Sequence, residues 1–231
     1  MALGGGDPQG YREDMKTDDS ALILHGYWRS GTSYRTRIAL NIKGLSYRQV
    51  NHDLRAGGQH APHYLALNPQ GLVPVLEVDG HVLTQSGAII EWLEECYPDP
   101  PLLPSGATDR AIVRAMALIV ACDIHPVNNL RILNRLRDDL GAPSDSVRSW
   151  IAHWIAEGFG PLETMIVRHG GRFCFGDRLT LADCHIVPQY YAAERFAVDL
   201  SPYPRLTETI GRIRDEPAIL AAHPDMQPDA D

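Results

Sequence analysis

Four cysteines are spread over 231 residues, at Cys96, Cys122, Cys174 and Cys184, and no two of them stand in a CxxC or other metal-binding spacing. That scarcity argues against a disulfide or zinc scaffold and points to a reduced, cytoplasmic protein with no metal. His52, His60 and His63 match no strong metal template either, and are expected to be solvated, with the cysteines serving as buried apolar fillers. No apolar run approaches the ~20 residues of a membrane span, and no secretory apolar segment opens the chain. Cations are in deficit: the formal net charge of −8 argues against nucleic acid or an anionic membrane as an obligate partner. A local basic patch for a small anion remains compatible with that balance. Residues 1–20 carry Gly and charge without periodicity, and read as a disordered extension outside the fold.

What is present is organised around Leu22 to Leu40, LILHGYWRSGTSYRTRIAL. An apolar, β-prone run breaks at Arg29-Ser30-Gly31-Thr32-Ser33, and Ile38, Ala39, Leu40 and Ile42 return at helical spacing. Ser30 therefore stands where a strand hands over to a helix. The first N–H groups of a helix lack partners and its dipole is positive there, so an anion is favoured. If the anion is a thiolate, a hydroxyl donor adds a charge-assisted hydrogen bond of ~1.5–3 kcal/mol to a dipole contribution of ~0.3–1. Together these would bring a thiol from ~8.5 to between roughly 5.5 and 7.5. No cysteine lies in this turn, so a bound small thiol is the natural candidate. A plain N-cap role for Ser30 or Ser33 explains the same residues.

Along the chain, Ser46 to Leu54 has the alternation of a second strand, which makes a βαβ unit with the first. His60 to Leu67 holds a short helix. Val75, Leu76 and Val78 then form a strand, Asp79-Gly80 marks a hairpin, and Val82 and Leu83 return antiparallel. Ser86 is placed to cap a helix carrying Ile89, Ile90, Trp92 and Leu93. The string PDPPLLPSG from Pro98 to Gly106 reads as a linker, dividing an α/β domain at 21–98 from an all-helical domain at 107–231. In the second, Thr108 to Leu140 is one apolar stripe that Pro126 should kink, and Val147 to Val167 a helix weakened at Gly158 and Pro161. A further helix is announced by Thr180 and Asp183 as a capping box, with Leu179 as its staple. The tail ending AHPDMQPDAD reads as irregular surface structure.

These features together resemble the cytosolic glutathione transferases, and within them the zeta class that holds maleylacetoacetate isomerase and maleylpyruvate isomerase. The stretches that carry the likeness include WRSGTSYRTRIALNIKGL, ALNPQGLVPVLEVDG, LTQSGAIIEWLEE, CDIHPVNNLRIL, AERFAVDLSPYP and HPDMQPD. The resemblance implies a thioredoxin-like α/β N-terminal domain, an all-α C-terminal domain, a homodimer, and glutathione as the bound thiol. It further implies that Ser30 donates to the glutathione sulfur, in a Ser30-Gly31-Thr32 run where the class usually has Ser-Ser-Cys. Gly31 then offers only its N–H, and the Thr32 hydroxyl can supplement or replace that of Ser30. Val73, before Pro74, matches the residue whose main chain pairs with the cysteinyl part. Gln85 and Ser86 match the pair holding the γ-glutamyl end, Gln59 reaches the glycine end, and His125 and Asn129 close over the ligand.

Arg29 and Arg195 match positions that hold the substrate's carboxylate and keto groups, which planar guanidinium groups bind bidentately. The activity so implied is a glutathione-dependent cis–trans isomerisation of maleylacetoacetate, the thiol being recovered unchanged. The RSGT run equally suits maleylpyruvate. A transferase acting on α-halo acids, a thiol-disulfide oxidoreductase and a non-catalytic module are the other readings, the second disfavoured because the turn has no cysteine.

Overall fold

The computed structural model describes residues 22–231, and the extension expected at residues 1–20 lies outside them. Strand β1 (Leu22–Gly26) leads through the serine-rich turn into helix α1 (Gly31–Ile42), and strand β2 (Arg48–Asn51) returns parallel to β1, with His25 opposite Val50. After a 3-10 turn at Gly58–His60 and helix α2 (Pro62–Leu67), strands β3 (Val75–Val78) and β4 (His81–Thr84) form the hairpin, β3 running antiparallel to β1. Asp79 and Gly80 both have positive φ, the conformation that the tight turn demands. The sheet order is β2-β1-β3-β4, and helix α3 (Ser86–Cys96) follows.

The second half is helical: α4 (Ala107–Leu118), α5 (Leu130–Asn134), α6 (Ser144–His169), α7 (Leu181–Arg195), α8 (Pro204–Ile213) and α9 (Pro217–Ala222). The kink expected at Pro126 is spread over a longer stretch. Past α4 the helix widens into a π turn at Ile119–Ile124, closes at His125 N–H to Val120 O (2.9 Å), and tightens into a 3-10 turn at Pro126–Asn128. Residues 107–139 hold no uninterrupted apolar run of span length, although by length and mean composition alone they would pass for a membrane helix. Their apolar side, Val113, Met116, Val120 and Ile124, is buried in the core.

Helix α6 runs unbroken through Gly158 and Pro161, where weakness was expected. A Cβ on Gly158 would stand 2.2 Å from Ile124 Cδ1, so the glycine is what lets the π turn pack onto α6. The capping box at α7 is present: Asp183 Oδ2 accepts from Thr180 N–H at 2.7 Å.

The tail is irregular, as read, apart from a 3-10 turn at Pro224–Met226, and it is also docked. Arg37, fully buried on α1, donates to Ala222 O (3.0 Å) and to Trp28 O (2.9 Å), Asn41 donates to Ala218 O (3.0 Å), and Trp28 N–H reaches Asp229 Oδ2 (3.1 Å). Helix α9 thereby fastens the end of the chain onto the residues that enter the Ser30 turn. The linker is held as firmly. Glu94 accepts from Leu102 and Leu103 N–H (2.8 and 3.1 Å) and pairs with buried Lys43 at 2.7 Å. Among the cysteines, Cys174 and Cys184 are buried fillers, whereas Cys122 is exposed and Cys96 only partly covered. His60 and His63 are exposed, but His52 is buried, with Nε2 2.9 Å from His25 Nδ1, and burial lowers its pKa to about 4.

Candidate active site

Ser30 is the N-cap of α1, in extended backbone geometry (φ −68°, ψ 122°), and its Oγ accepts from Ser33 N–H at 3.3 Å. The bland role is therefore filled. The same oxygen lies 2.9 Å from Thr32 Oγ1, and Thr32 Oγ1 donates to Val73 O, also at 2.9 Å. A threonine hydroxyl has one proton, so with that proton on Val73 the Ser30–Thr32 bond is donated by Ser30. Ser30 thus holds the one hydroxyl proton in the pair that can be turned to an arriving anion.

Val73 is itself pinned. Leu72 O accepts from Tyr64 O–H (2.6 Å) and Asn68 Nδ2 (2.8 Å), which fixes the loop entering β3. The Val73–Pro74 bond is cis, as is Asp99–Pro100. Gly71 must be glycine: its φ is +61° and a Cβ there would meet His60 Nδ1 at 2.8 Å.

These groups open onto a cavity of about 670 Å³, within the ~300–1,000 Å³ usual for small-molecule sites. Its wall includes Arg29, Ser30, Gly31, Thr32, Gln59, Val73, His125, Asn129 and Arg195, bringing together nine of the residues singled out from the sequence. Pro74, Gln85 and Ser86 are not on the wall. Gln85, not Ser86, is the N-cap of α3, with φ +68° and no side-chain cap bond, and Ser86 is the first helical residue and is buried. Gln85 reaches the site indirectly, through Nε2 to Gln70 Oε1 (2.7 Å), and Gln70 does line the cavity. Asn129 also caps α5, accepting from Arg131 N–H at 3.2 Å.

Charge on the wall is of one sign. Arg29, Arg55, Arg131, Arg137 and Arg195 face the cavity, and among the described residues no carboxylate does. Arg55 is held by Asp53 and Asp231, but the other four have no ion-pair partner among the described residues. Arg195 does not pair with its neighbour Glu194. Instead Glu194 pairs with Arg214, while Arg195 lies over the Phe196 ring (4.3 Å) and Arg29 over Trp28 (5.0 Å). A chain with net charge −8 has thus gathered unpaired guanidinium groups at one opening, the arrangement that concentrates and orients small anions.

His125 stands against the turn, its Cε1 3.7 Å from where a Gly31 Cβ would be. Burial, with Arg35 and His185 nearby, lowers its pKa to about 3, so it is a neutral ring at physiological pH. Arg131, Arg137 and Arg35 escaped the sequence reading. Arg131 follows Asn129 by two in a stretch already singled out, and Arg35 stands one helical turn after Gly31.

A peptide-like thiol fits these groups. Gln59 Oε1 is buried without a partner, Ser30 has a proton to give at a helix N-terminus, and unpaired cations surround both. Comparison with known proteins agrees. Residues 20–95 match the glutathione S-transferase N-terminal domain and residues 144–221 the C-terminal domain. A probable maleylacetoacetate isomerase of Vibrio cholerae is 49% identical over 213 residues, covering 91% of this chain and 99% of that protein. The solved holo structure of maleyl pyruvate isomerase, a bacterial zeta-class glutathione S-transferase, superposes with a TM-score of 0.89 at 47% identity, covering 90% of this chain and 100% of that one. Maleylacetoacetate isomerase from Anaeromyxobacter dehalogenans 2CP-1, solved with glutathione in its active site, gives 0.83 at 45% identity over 91% and 98%. The thioredoxin-like α/β half and the all-helical half are both present, and the chain belongs to the glutathione S-transferase family, in its zeta class.

Proposed function

We propose that this chain is a glutathione-dependent cis–trans isomerase whose substrate is maleylacetoacetate and whose product is fumarylacetoacetate. The observation that carries the reading is the Ser30 hydroxyl, whose proton rests on Thr32 and can turn to an anion, beside a cavity lined by arginines without ion-pair partners among the described residues. Bound glutathione would supply a thiolate whose addition to the alkene carbon, and departure from it, lets the former double bond turn. Ser30 would keep the sulfur anionic by donating to it at the start of α1, and Gly31 adds a backbone N–H. Val73 would offer its main chain to the peptide, and Gln59 its unpartnered oxygen. Arg29 and Arg195 would orient the diacid and offset the negative charge that grows on the keto oxygen. None of these residues needs to act as a nucleophile.

Maleylpyruvate is the second substrate to consider, because the Ser30-Gly31-Thr32 run is what the sequence offers in its favour and a maleyl pyruvate isomerase superposes at 0.89. Steady-state rates on the two acids, side by side with and without glutathione, decide it: the higher kcat/KM names the substrate. No glutathione-dependent turnover of either would move the assignment to a transferase on α-halo acids. A homodimer in the cytoplasm, binding small molecules and neither nucleic acid nor membrane, completes the proposal. Light scattering on the purified protein tests the dimer.

A further inference from the structure

Next to the main cavity is a second, smaller one of about 60 Å³, and the two share Arg29, Gly31, His125, Asn128, Arg195 and Phe196 on their walls. The inner cavity adds Arg35, which is 3% exposed. Its Nε has no hydrogen-bond partner, and no carboxylate among the described residues pairs with its guanidinium. A buried, uncompensated charge is expensive to keep unless something arrives to meet it. Arg37, two residues on and equally buried, is satisfied by two carbonyls, so burial on this helix does not by itself leave an arginine bare. Asn128 is orphaned at the same place: both Nδ2 and Oδ1 are buried with no partner. Two unfulfilled donor groups thus meet in a space the size of one or two waters, since a water occupies ~30 Å³.

We infer that Arg35 and Asn128 form a buried carboxylate subsite, taking the carboxylate attached to the reacting double bond of the substrate. This rests on the reading of the chain as a maleyl-type isomerase. The placement follows from reach. Gly31 is adjacent in sequence to Ser30 and lies four residues before Arg35, and a helical side chain leans toward the preceding turn. The guanidinium therefore comes back beneath the turn that holds the thiol, and that carboxylate is bonded to one of the two carbons the thiolate can reach. Gly31 lines both cavities without a side chain, and its Cβ position is in contact only with His125. Arg35 keeps its charge in this setting: burial lowers its pKa only to about 10. Arg29 and Arg195, shared with the outer cavity, are left for the keto groups and the acyl chain. The subsite would reject cis-enones that lack this carboxylate, because Arg35 and Asn128 would stay buried and unpaired.

The test uses succinate and its monomethyl ester as probes, titrated calorimetrically into the protein saturated with glutathione, in wild type, Arg35→Met, Arg35→Lys and Asn128→Leu. A charge-assisted hydrogen bond of ~1.5–3 kcal/mol corresponds to a loss of roughly 10- to 150-fold. That loss is expected for succinate on Arg35→Met, with partial recovery in Arg35→Lys and a smaller loss in Asn128→Leu. Glutathione affinity should stay within about twofold, which also shows that each variant is folded. Esterification should weaken wild-type binding and matter less once Arg35 is gone. Succinate binding every folded variant as well as wild type, or an ester penalty undiminished in Arg35→Met, overturns the subsite. Should Arg35→Met not fold, the Lys and Leu variants carry the same comparison. Arg35-dependent succinate binding without turnover of any maleyl acid would sink the isomerase reading and leave the subsite standing. Glutathione-dependent turnover with succinate binding indifferent to Arg35 and Asn128 would do the reverse.

Discussion

Thr32 donates the single proton of its hydroxyl to the carbonyl of Val73, 2.9 Å away, and by doing so divides the work of two neighbouring hydroxyls. Thr32 fixes the loop before β3 to the start of α1, while the proton Ser30 donates to Thr32 can be turned to an arriving anion. The sequence alone left the choice between them open.

Replacing Ser30 and Thr32 one at a time should therefore give unequal results. Ser30→Ala is expected to lower kcat by ~10²–10³, the range for loss of one preorganised donor. It should also raise the thiol pKa of bound glutathione by about one unit or more, corresponding to a lost hydrogen bond to a charged group. Thr32→Val should move that pKa far less and act mainly on glutathione affinity. Thiolate absorbance against pH checks both, and equal shifts in the two variants would contradict the division.

At the contact of the π turn with α6, Gly158→Ala should cost about 1–3 kcal/mol, because the new methyl meets Ile124 Cδ1 at 2.2 Å. Adding Ile124→Val shortens the opposing side chain and should recover part of that loss. Urea denaturation of both single variants and the double variant measures the coupling. Strict additivity would show that the two side chains do not collide.

Lys43→Met should be among the more damaging single changes in the α/β half, at about 3–5 kcal/mol, since it leaves Glu94 buried without its cation. Glu94 also holds Leu102 and Leu103, so the variant should expose the linker to proteolysis before the rest of the chain. A melting temperature equal to wild type would contradict this.

Stability should fall as pH drops below neutrality. His52 is lowered to about 4, and His125 and His185 to about 3, in each case chiefly by burial, against an ordinary value near 6.5. Between pH ~6.5 and ~4 the unfolded chain binds protons that the folded one refuses, so each ring contributes up to ~1.4 kcal/mol per pH unit in that window. Asp183 works in the opposite sense, since burial raises its pKa and its contribution weakens as pH rises. Three rings outweigh one carboxyl. His185→Gln should flatten the profile between pH 6.5 and 4.5, and an unchanged slope would count against it.

Much of the framework was legible because it is local. Turn chemistry at Arg29–Ser33, the Asp79-Gly80 pair and the Thr180–Asp183 box each act within a few residues, and each forms as read. Misreadings cluster where distant segments decide. Gly158 looked like a weakness in α6 because its use lies on Ile124, thirty-four positions earlier in the sequence. The docking of the chain end is invisible in the sequence because what holds it, Arg37, Asn41 and Trp28, is almost two hundred residues away. Ser86 reads as a cap because the preceding Gln85 gives no hint of its positive φ. Among site residues, Ser30 and the cavity-facing arginines at 29 and 195 stood in recognisable stretches. Arg35 did not stand out, because a charged side chain on a helix ordinarily belongs to the solvated face, and only the fold shows that it turns inward.

The central claim is that glutathione returns unchanged from each turnover, and a thiol balance tests it most directly. Maleylacetoacetate in about hundredfold excess over glutathione is incubated with the enzyme, and free thiol and fumarylacetoacetate are followed together. Complete conversion to the trans acid with the thiol concentration constant is the expected result. Conversion that stops after one equivalent of glutathione has been consumed would contradict it, and would make the protein a conjugating transferase.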